Sequence, residues 1–238
     1  MPGKLYLIPT TLSEENILSV IPVDNRQIVE RIRLFFIEEE KSARRFLKKL
    51  IPNFPFNEGT FIPLNEHTSP EEIKENAKFL SEHDAGIISQ TGCPCVADPG
   101  ADLVLWAHQN NIPVIPLVGP SAILLALMAS GLNGQNFAFN GYLSREKEER
   151  IKKIRHLEQR SFHERQTQIF METPYRNQNI FEDILANADP RTMLSIALDL
   201  NGPQQSVKTT TINEWKKVKP VLNKKPALFL LLRRPDKL

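Results

Sequence analysis

Residues 85–100 read AGIISQTGCPCVADPG, and this stretch decides the fold because a buried strand ends there in an open turn. Ala85–Ser89 is short and apolar, as expected for a buried strand, and residues 101–108 have the composition of a helix. The glycines of the turn permit positive φ or close backbone approach, and its prolines stiffen it. In open α/β sheets ligands bind beyond the carboxyl ends of the strands, so the turn is a candidate binding loop. An ordinary turn between strand and helix is the alternative interpretation.

Strands and helices alternate through the first half of the chain. Short apolar runs predict strands at Lys4–Ile8, Ile32–Ile37, Ala85–Ser89 and Ile112–Leu117. A helix is predicted from about Lys41 to Leu50, and the run Ser69, Pro70 and Glu72 predicts a capped helix start. This alternation indicates an α/β fold with a largely parallel sheet.

The pattern of predicted strands and helices changes after a very apolar predicted helix at Ser121–Ser130. The second half has predicted strands at Phe137–Leu143, Gln168–Met171, Leu194–Leu198, Val207–Ile212 and Ala227–Leu232, and predicted helices at Arg145–Gln159 and Asn177–Asn187. Strands outnumber helices here, which indicates a second α+β layer. We therefore predict two α/β domains, residues 1–117 and 118–238.

Composition limits the classes of function. The formal net charge of +2 does not by itself indicate a polyanionic partner. Basic predicted helices at 41–50 and 145–155 could form a nucleic-acid track, with solvated amphipathic faces as the alternative. No apolar run approaches the ~18–20 residues of a membrane span, so we expect no membrane partner.

The cysteines indicate a reducing environment. Cys93 and Cys95 are the only two in the chain and cannot form a disulfide framework. Their C-x-C spacing lacks the second pair that a structural zinc site requires, so we predict no metal site. A cytoplasmic location is the simplest interpretation.

Three other segments carry candidate polar groups. The turn before Ser121 could hold a carboxylate at a helix N-terminus, with a plain capped helix as the alternative. In METPYR (171–176), Arg176 could bind an anion and Glu172 could accept a hydrogen bond from a ligand. The alternative is an exposed arginine and an ordinary strand-end glutamate. Glu38 and Glu39 follow a buried strand and are candidates for a cleft, with a solvated helix start as the alternative.

Five motifs in order resemble those of the tetrapyrrole methylase superfamily of S-adenosylmethionine (SAM) methyltransferases, in particular its ribosomal RNA branch. SQTGCPCVADPG (89–100) is similar to SDAGTPGISDPG, and GPSAILLALMASGL (119–132) is similar to GPSALLAALSASGL. FMETPYR (170–176) resembles FYESPHR, residues 37–47 resemble AEDTR-x-T-R-K-L-L, and residues 65–69 resemble HEHNE. Each motif is weak alone, but the set at this spacing is specific and runs nearly end to end.

The resemblance implies two α/β domains that hold SAM in a cleft between them, usually in a homodimer. The cofactor-binding positions that it implies are Pro9, Ser89, Gln90, Thr91, Gly92, Val96, Ser121, Ala122, Glu172, Leu198, Asn201, Gly202, Pro226 and Ala227. If the acceptor is a hydroxyl, methyl transfer also needs a base, for which Glu38, Glu39 and His67 are the candidates.

The sequence departs from the family pattern at several positions. Gln90 replaces an aspartate, Cys95 replaces a glycine, and the N-terminal ATPIGNL of the RNA branch is replaced by IPTTL at 8–12. Residues 199–202 replace the branch's RELT. Three functions therefore stay open. The first is a methyltransferase acting on a ribose 2′-O of rRNA, the second is a methyltransferase acting on a small cyclic, tetrapyrrole-like substrate, and the third is a non-catalytic SAM-binding dimer.

Overall fold

The structure is a computed structural model that describes residues 3–13, 17–218, 220–222 and 224–234. The chain divides into two compact units, Met1–Ser121 and Ala122–Leu238. The sequence-based division, at 117/118, lies four residues before this point. Both units combine helices with a sheet, so the α/β class expected from the sequence is the class observed.

The first unit is built on a parallel sheet. Its strands are β1 (Leu5–Ile8), β2 (Leu34–Ile37), β3 (Thr60–Pro63), β4 (Ala85–Ile88) and β5 (Val114–Pro116), in the spatial order β3-β2-β4-β1-β5. Its helices are α1 (Ile17–Val20), α2 (Val23–Val29), α3 (Glu40–Leu50), α4 (Pro70–Ala77) and α5 (Ala101–Gln109). All of the described pairings in this sheet are parallel, as the alternating pattern predicts.

Helices cover both faces of this sheet, which explains why its central strands are apolar throughout. Successive side chains of a strand point to opposite faces. Phe35 therefore packs with Leu47 of α3 on one face, while Phe36 packs with Leu103 of α5 on the other. Each such side chain, when fully buried, contributes about 1.5–3 kcal/mol to stability. A parallel sheet buried on both faces has this composition.

Local capping sets the start of two helices in the first unit. Glu39 precedes α3, and its carboxylate accepts a hydrogen bond from the backbone N–H of Ser42 at 3.0 Å. Before α4, Ser69 and Glu72 form a reciprocal capping box, so the helix start predicted at Ser69 is confirmed. The sequence pattern does not predict the strand at 60–63, because an edge strand of four residues ending in proline has little periodic signal.

The second unit is built on a mixed sheet. Its strands are β6 (Phe137–Tyr142), β7 (Thr167–Glu172), β8 (Met193–Leu198), β9 (Ser206–Thr211) and β10 (Ala227–Leu232), in the spatial order β6-β7-β10-β8-β9. Its helices are α6 (Ala122–Ser130), α7 (Lys147–Glu164), α8 (Asn177–Asn187) and α9 (Ile212–Trp215). Only the β6–β7 pairing among these is parallel.

Aromatic packing organises the core of the second unit. Phe170 of β7 and Phe229 of β10 stack with ring centroids 5.8 Å apart. Trp215 packs edge-on against Phe181, and its indole N–H donates to the carbonyl of Leu194 at 2.8 Å. These contacts join helices α8 and α9 to the sheet. No helix in the described part of the chain is long and apolar enough to cross a membrane.

Candidate functional site

The carboxyl ends of three neighbouring strands converge in the first unit. After β1, the backbone N–H of Thr10 donates to the carbonyl of Gly92 at 2.8 Å. After β2, a Glu38 carboxylate oxygen accepts a hydrogen bond from the backbone N–H of Gln90 at 3.0 Å. We call Thr10, Glu38 and residues 89–100 the carboxyl-edge cluster. It occupies the position where parallel α/β sheets bind ligands.

The binding loop predicted at 89–100 adopts backbone conformations that favour glycine. Gly92 has φ of 77° and Gly100 has φ of 123°, but Cys95 and Ala97 also lie in the left-handed region, at 66° and 64°. A Cβ atom at Gly100 would lie 2.8 Å from the sulfur of Cys95, so the loop is closely packed there. Cys95 stands where the resembling family has glycine, and its positive φ gives the physical reason for that glycine.

Asp98 is a partly buried carboxyl group of this cluster whose pKa is raised. Burial, the larger cause, and the nearby charge of Glu38 together raise the pKa of Asp98 to about 6, although a hydrogen bond from Ser89 opposes the change. Glu38 and Asp98 are thus two acidic side chains in one partly buried place. The sequence analysis used Asp98 only as part of a turn, since its proximity to Glu38 depends on the packing of two strands.

The cluster contains a polar atom whose hydrogen-bonding capacity is unused. The side chain of Thr10 is buried, with the residue 3% exposed, and its hydroxyl oxygen has no hydrogen-bond partner among the described residues. A buried hydroxyl left unpaired costs about 1–3 kcal/mol, so such atoms in native proteins often face a ligand or a water. The thiols do not add a nucleophile here, because burial raises the pKa of Cys93 and raises that of Cys95 to about 11.

The turn before α6 is attached to the same strand ends. Pro9 lies against Gly119 so closely that any Cβ at Gly119 would overlap its ring. The side-chain amide of Asn25 donates to the carbonyl of Val118 at 2.6 Å. Ser121 then immediately precedes α6, which begins at Ala122, in agreement with the predicted helix start.

In the second unit, three of the predicted cofactor-binding residues form one row across the sheet. Ala227 of β10 is in register with Glu172 of β7 on one side and with Leu198 of β8 on the other. We call Glu172, Ala227 and Leu198 the second-unit row. Long-range strand pairing brings these residues together, although 55 residues of sequence separate Glu172 from Ala227.

Glu172 and Arg176 form an ion pair in which one oxygen remains unused. The Glu172 side chain is 1% exposed, and one carboxylate oxygen accepts hydrogen bonds from the Arg176 guanidinium and, at 2.7 Å, from the backbone N–H of Thr173. The other oxygen is buried with no partner among the described residues. Glu172 is the last residue of β7, as the alternative interpretation expects of it, but its carboxylate is buried. Its spare oxygen matches the predicted acceptor of a ligand hydrogen bond.

A tight turn follows the row at residues 199–202. Asp199 and Asn201 both have positive φ, at 50° and 60°. The N–H of Gly202 donates to the carbonyl of Asp199 at 2.8 Å, and a Cβ at Gly202 would overlap the Asp199 carboxylate. The N–H of Asp199 donates to the carbonyl of Pro226 at 2.9 Å, which joins the turn to the start of β10.

The three predicted catalytic residues occupy different environments. Glu38 belongs to the carboxyl-edge cluster. Glu39 is exposed, and the hydrogen bond from Ser42 lowers its pKa, so the structure gives it a capping role instead. His67 lies in the loop before α4 with its side chain 85% exposed, beside Glu66. Gln90, Thr91 and Val96 are exposed on the binding loop, whereas Ser89 and Gly92 are buried.

One protein family matches most of the sequence. A family model described as Tetrapyrrole (Corrin/Porphyrin) Methylases matches residues 19–216. The chain belongs to the tetrapyrrole methylase family. Both the carboxyl-edge cluster and the second-unit row lie largely within the matched segment.

Several curated proteins that are similar to this sequence carry the name ribosomal RNA small subunit methyltransferase I. The protein from Vibrio cholerae is 29% identical over 182 residues, which cover 76% of this chain and 59% of that protein. The Escherichia coli O157:H7 protein is 26% identical, covering 89% and 70%, and the Bacillus subtilis protein is 31% identical, covering 73% and 56%. The tetrapyrrole methylase described here thus spans 56–70% of the length of these relatives.

Solved structures share the fold of this tetrapyrrole methylase. The methyltransferase CobJ superposes with a TM-score of 0.60 at 16% identity, covering 96% of this chain and 93% of that one. A uroporphyrin-III-C-methyltransferase from Thermus thermophilus superposes with a TM-score of 0.53, also at 16% identity, covering 97% and 94%. At this identity the likeness concerns the fold alone.

Proposed function

We propose that this tetrapyrrole methylase is a SAM-dependent methyltransferase. The observation that carries the proposal is the carboxyl-edge cluster, in a chain of this family. Several residues of its loop have positive φ. The Thr10 hydroxyl is buried in the cluster without a hydrogen-bond partner among the described residues. Together with the spare Glu172 oxygen, the chain offers unpaired acceptors and accessible backbone groups suited to the hydroxyl, amino and carboxylate groups of SAM.

SAM, when bound, supplies a methyl group on a positively charged sulfur. The role of the chain is then positioning, because methyl transfer between aligned reactants needs little else. Pro9, Gln90, Thr91, Gly92 and Val96 would contact the cofactor in the first unit. In the second, the corresponding residues are Ala122, Glu172, Leu198, Asn201, Gly202, Pro226 and Ala227, while Ser121 lies at the last position of the first unit.

An oxygen acceptor also requires removal of a proton. Glu38 stays a candidate base by its position in the carboxyl-edge cluster. Asp98 is suited to this task by its pKa, because a general base works best with a pKa near the operating pH. Burial and, to a lesser extent, the charge of Glu38 together raise the pKa of Asp98 to about 6, so the Asp98 carboxylate can accept a proton near neutral pH. A catalytic role for Glu39 or His67 stays a prediction. Glu39 caps helix α3, and the His67 side chain is exposed.

The acceptor we favour is a ribose 2′-O of small-subunit rRNA. The names of the sequence relatives support it, since all three described above are rRNA methyltransferases by name. A small cyclic acceptor is the second candidate, because the structural neighbours include a uroporphyrin-III methyltransferase. We also propose the cytoplasmic location and homodimer expected from the sequence. Free Cys93 and Cys95 support the former, and light scattering tests the latter.

Calorimetric titration with SAM and with S-adenosylhomocysteine tests the proposal. We expect micromolar binding, equivalent to about −8 kcal/mol. Thr10→Val keeps the shape of the side chain and removes its hydroxyl, so it should weaken SAM binding severalfold if the ligand satisfies that group. Thr60→Val, at an exposed position of β3, is the matched control and should leave binding unchanged. A folded protein that binds neither ligand at millimolar concentration would refute the methyltransferase proposal and leave a SAM-independent role.

A further inference from the structure

A basic groove lies along α3, outside the carboxyl-edge cluster. It has a volume of about 560 Å3, and its lining residues are Lys41, Arg44, Arg45, Lys48, Pro52, Phe54 and Phe56. The four cationic residues are spaced i, i+3, i+4 and i+7, so they share one face of the helix. The opposite face, with Phe46, Leu47 and Leu50, is buried in the core. The groove is therefore a rigid surface whose charge is displayed on one side.

Aromatic rings hold one of these cations in a fixed orientation. The Arg44 guanidinium lies 4.4 Å from the ring centre of Phe61 and 5.4 Å from that of Phe56. Its Nε donates to Glu40 at 2.7 Å, while the side chain remains 41% exposed. A guanidinium has five N–H groups, so donors remain for a further acceptor. An arginine oriented in this way is preorganised for the paired oxygens of a phosphate.

Most of the charged side chains of α3 are cationic. The helix carries five cationic side chains (Lys41, Arg44, Arg45, Lys48 and Lys49) and one acidic one, Glu40. By contrast, the net charge of the whole chain is only +2. The helix rises about 10 Å along its axis from Lys41 to Lys48, comparable to three nucleotides of a stacked strand at about 3.4 Å each.

The groove also begins beside the proposed proton acceptor. Glu38, Glu39 and the start of α3 at Glu40 are consecutive, so the groove leads away from the carboxyl-edge cluster along the chain. A strand held on α3 would therefore have one end near Glu38. This location distinguishes α3 from the other basic helix, α7, which lies in the second unit.

We propose that the α3 groove binds the phosphate backbone of single-stranded RNA. The inference rests on the proposed function, because the choice of RNA over other polyanions follows from an rRNA acceptor. Lys41, Arg45 and Lys48 contact successive phosphates, and Arg44 donates to one of them from its place over the rings of Phe56 and Phe61. The contacts are to the backbone, so the groove contributes affinity and direction but no sequence preference.

Fluorescence polarisation with a labelled 12-nucleotide single-stranded RNA of mixed sequence tests this surface. The whole protein is titrated between 50 and 300 mM KCl, and compared with Lys41→Gln/Lys48→Gln. Each lost phosphate contact lowers the salt-dependence slope by about 0.7 and lowers affinity roughly fivefold at 0.1 M salt. The double variant should therefore bind about 25-fold more weakly, with a slope smaller by about 1.4.

Lys152→Gln/Lys153→Gln is the matched control, because it removes two exposed lysines from α7. It should bind RNA as the unaltered protein does. The proposal is overturned if the unaltered protein does not bind the RNA, if the α3 variant keeps its affinity and slope, if the α7 variant loses as much, or if polyglutamate of equal charge competes as well as unlabelled RNA. Circular dichroism checks that both variants are folded.

Calorimetry with SAM on the same preparations separates this proposal from the proposed function. SAM binding without RNA binding supports the methyltransferase and rejects the groove. RNA binding that depends on Lys41 and Lys48, without SAM binding, supports the groove as an RNA surface and rejects the methyltransferase.

Discussion

Replacing Asp98 with asparagine should stabilise the first unit, and the gain should depend on pH. Burial, the larger cause, and the charge of neighbouring Glu38 together raise the pKa of Asp98 from 3.8 to about 6. Asparagine has nearly the same shape, carries no charge, and its carbonyl can still accept the hydrogen bond from Ser89. The substitution therefore removes the unfavourable burial of a charge and keeps the geometry of the loop.

The direction of the pH dependence follows from which state binds the proton more tightly. Below pH 3.8 the carboxyl is protonated in both states, and Asp98 contributes nothing to the pH dependence. Between pH 3.8 and 6 the unfolded chain loses the proton first, so the free energy of unfolding of the parent falls as pH rises. Above pH 6 the carboxyl is ionised in both states, so its destabilising effect on the parent is complete and no longer changes with pH. The Asp98→Asn variant has no such ionisation. The difference in free energy of unfolding between the variant and the parent therefore grows between pH 4 and 7.

The size of the effect follows from the same pKa values. The full difference corresponds to about 3 kcal/mol, since one pKa unit is about 1.4 kcal/mol. The carboxyl is partly exposed, and solvent screening reduces the expected gain to about 1.5 kcal/mol at pH 7. Glu38→Gln should produce a smaller gain over the same pH range, because it removes only the second cause of the raised pKa.

Urea unfolding at pH 4, 5, 6 and 7 measures the gain. Trp106 packs against the core of the first unit, and in a Trp215→Phe background its fluorescence reports on that unit alone. The advantage of Asp98→Asn over the parent should grow by more than 1 kcal/mol from pH 4 to pH 7. A constant difference across this range would refute the account of Asp98 as a buried carboxyl beside Glu38.

Two further predictions concern the second unit, where Trp215 serves as reporter after the other tryptophan is replaced by phenylalanine. Arg176→Ala leaves the buried Glu172 carboxylate without its cation and should lower the free energy of unfolding by about 3 kcal/mol in urea titrations; a loss below 1 kcal/mol would show that the pair is solvated. Gly202→Ala places a methyl group against the Asp199 carboxylate, so it should cost about 1–3 kcal/mol and weaken SAM binding measured by calorimetry. Pro203→Ala, in the same loop, is its control and should change neither quantity by as much.

Elements with strong local signals could be predicted from the sequence closely. The helix predicted at Asn177–Asn187 and the strand predicted at Ala227–Leu232 are observed with those bounds. The helix start at Ser69 depends on a side chain three residues away, which is also a local interaction. Helix α7 was predicted to end at Gln159 but continues to Glu164, and ends where Arg165 adopts a left-handed conformation that the sequence does not signal.

The resemblance of the motifs indicated which segments belong to the candidate site, but not what the environment does to their side chains. Glu38 and Glu39 are adjacent acids and equivalent in the sequence. In the tertiary structure, Glu38 accepts a hydrogen bond from the N–H of Gln90, whereas Glu39 caps helix α3. Likewise, the pairing of Glu172 with Arg176 needs the bend between β7 and α8 before the two charges can meet.

The sequence by itself therefore determined the class of fold, most of its helices and strands, and the family, because hydrophobic periodicity, capping and short motifs act over a few residues. Only the tertiary structure decided the strand order β3-β2-β4-β1-β5, the row of Glu172, Ala227 and Leu198, and the environment of Asp98. These depend on contacts between distant segments, such as the 52 residues that separate Glu38 from Gln90. Burial and charge proximity arise from that packing, and they set the chemistry of the site.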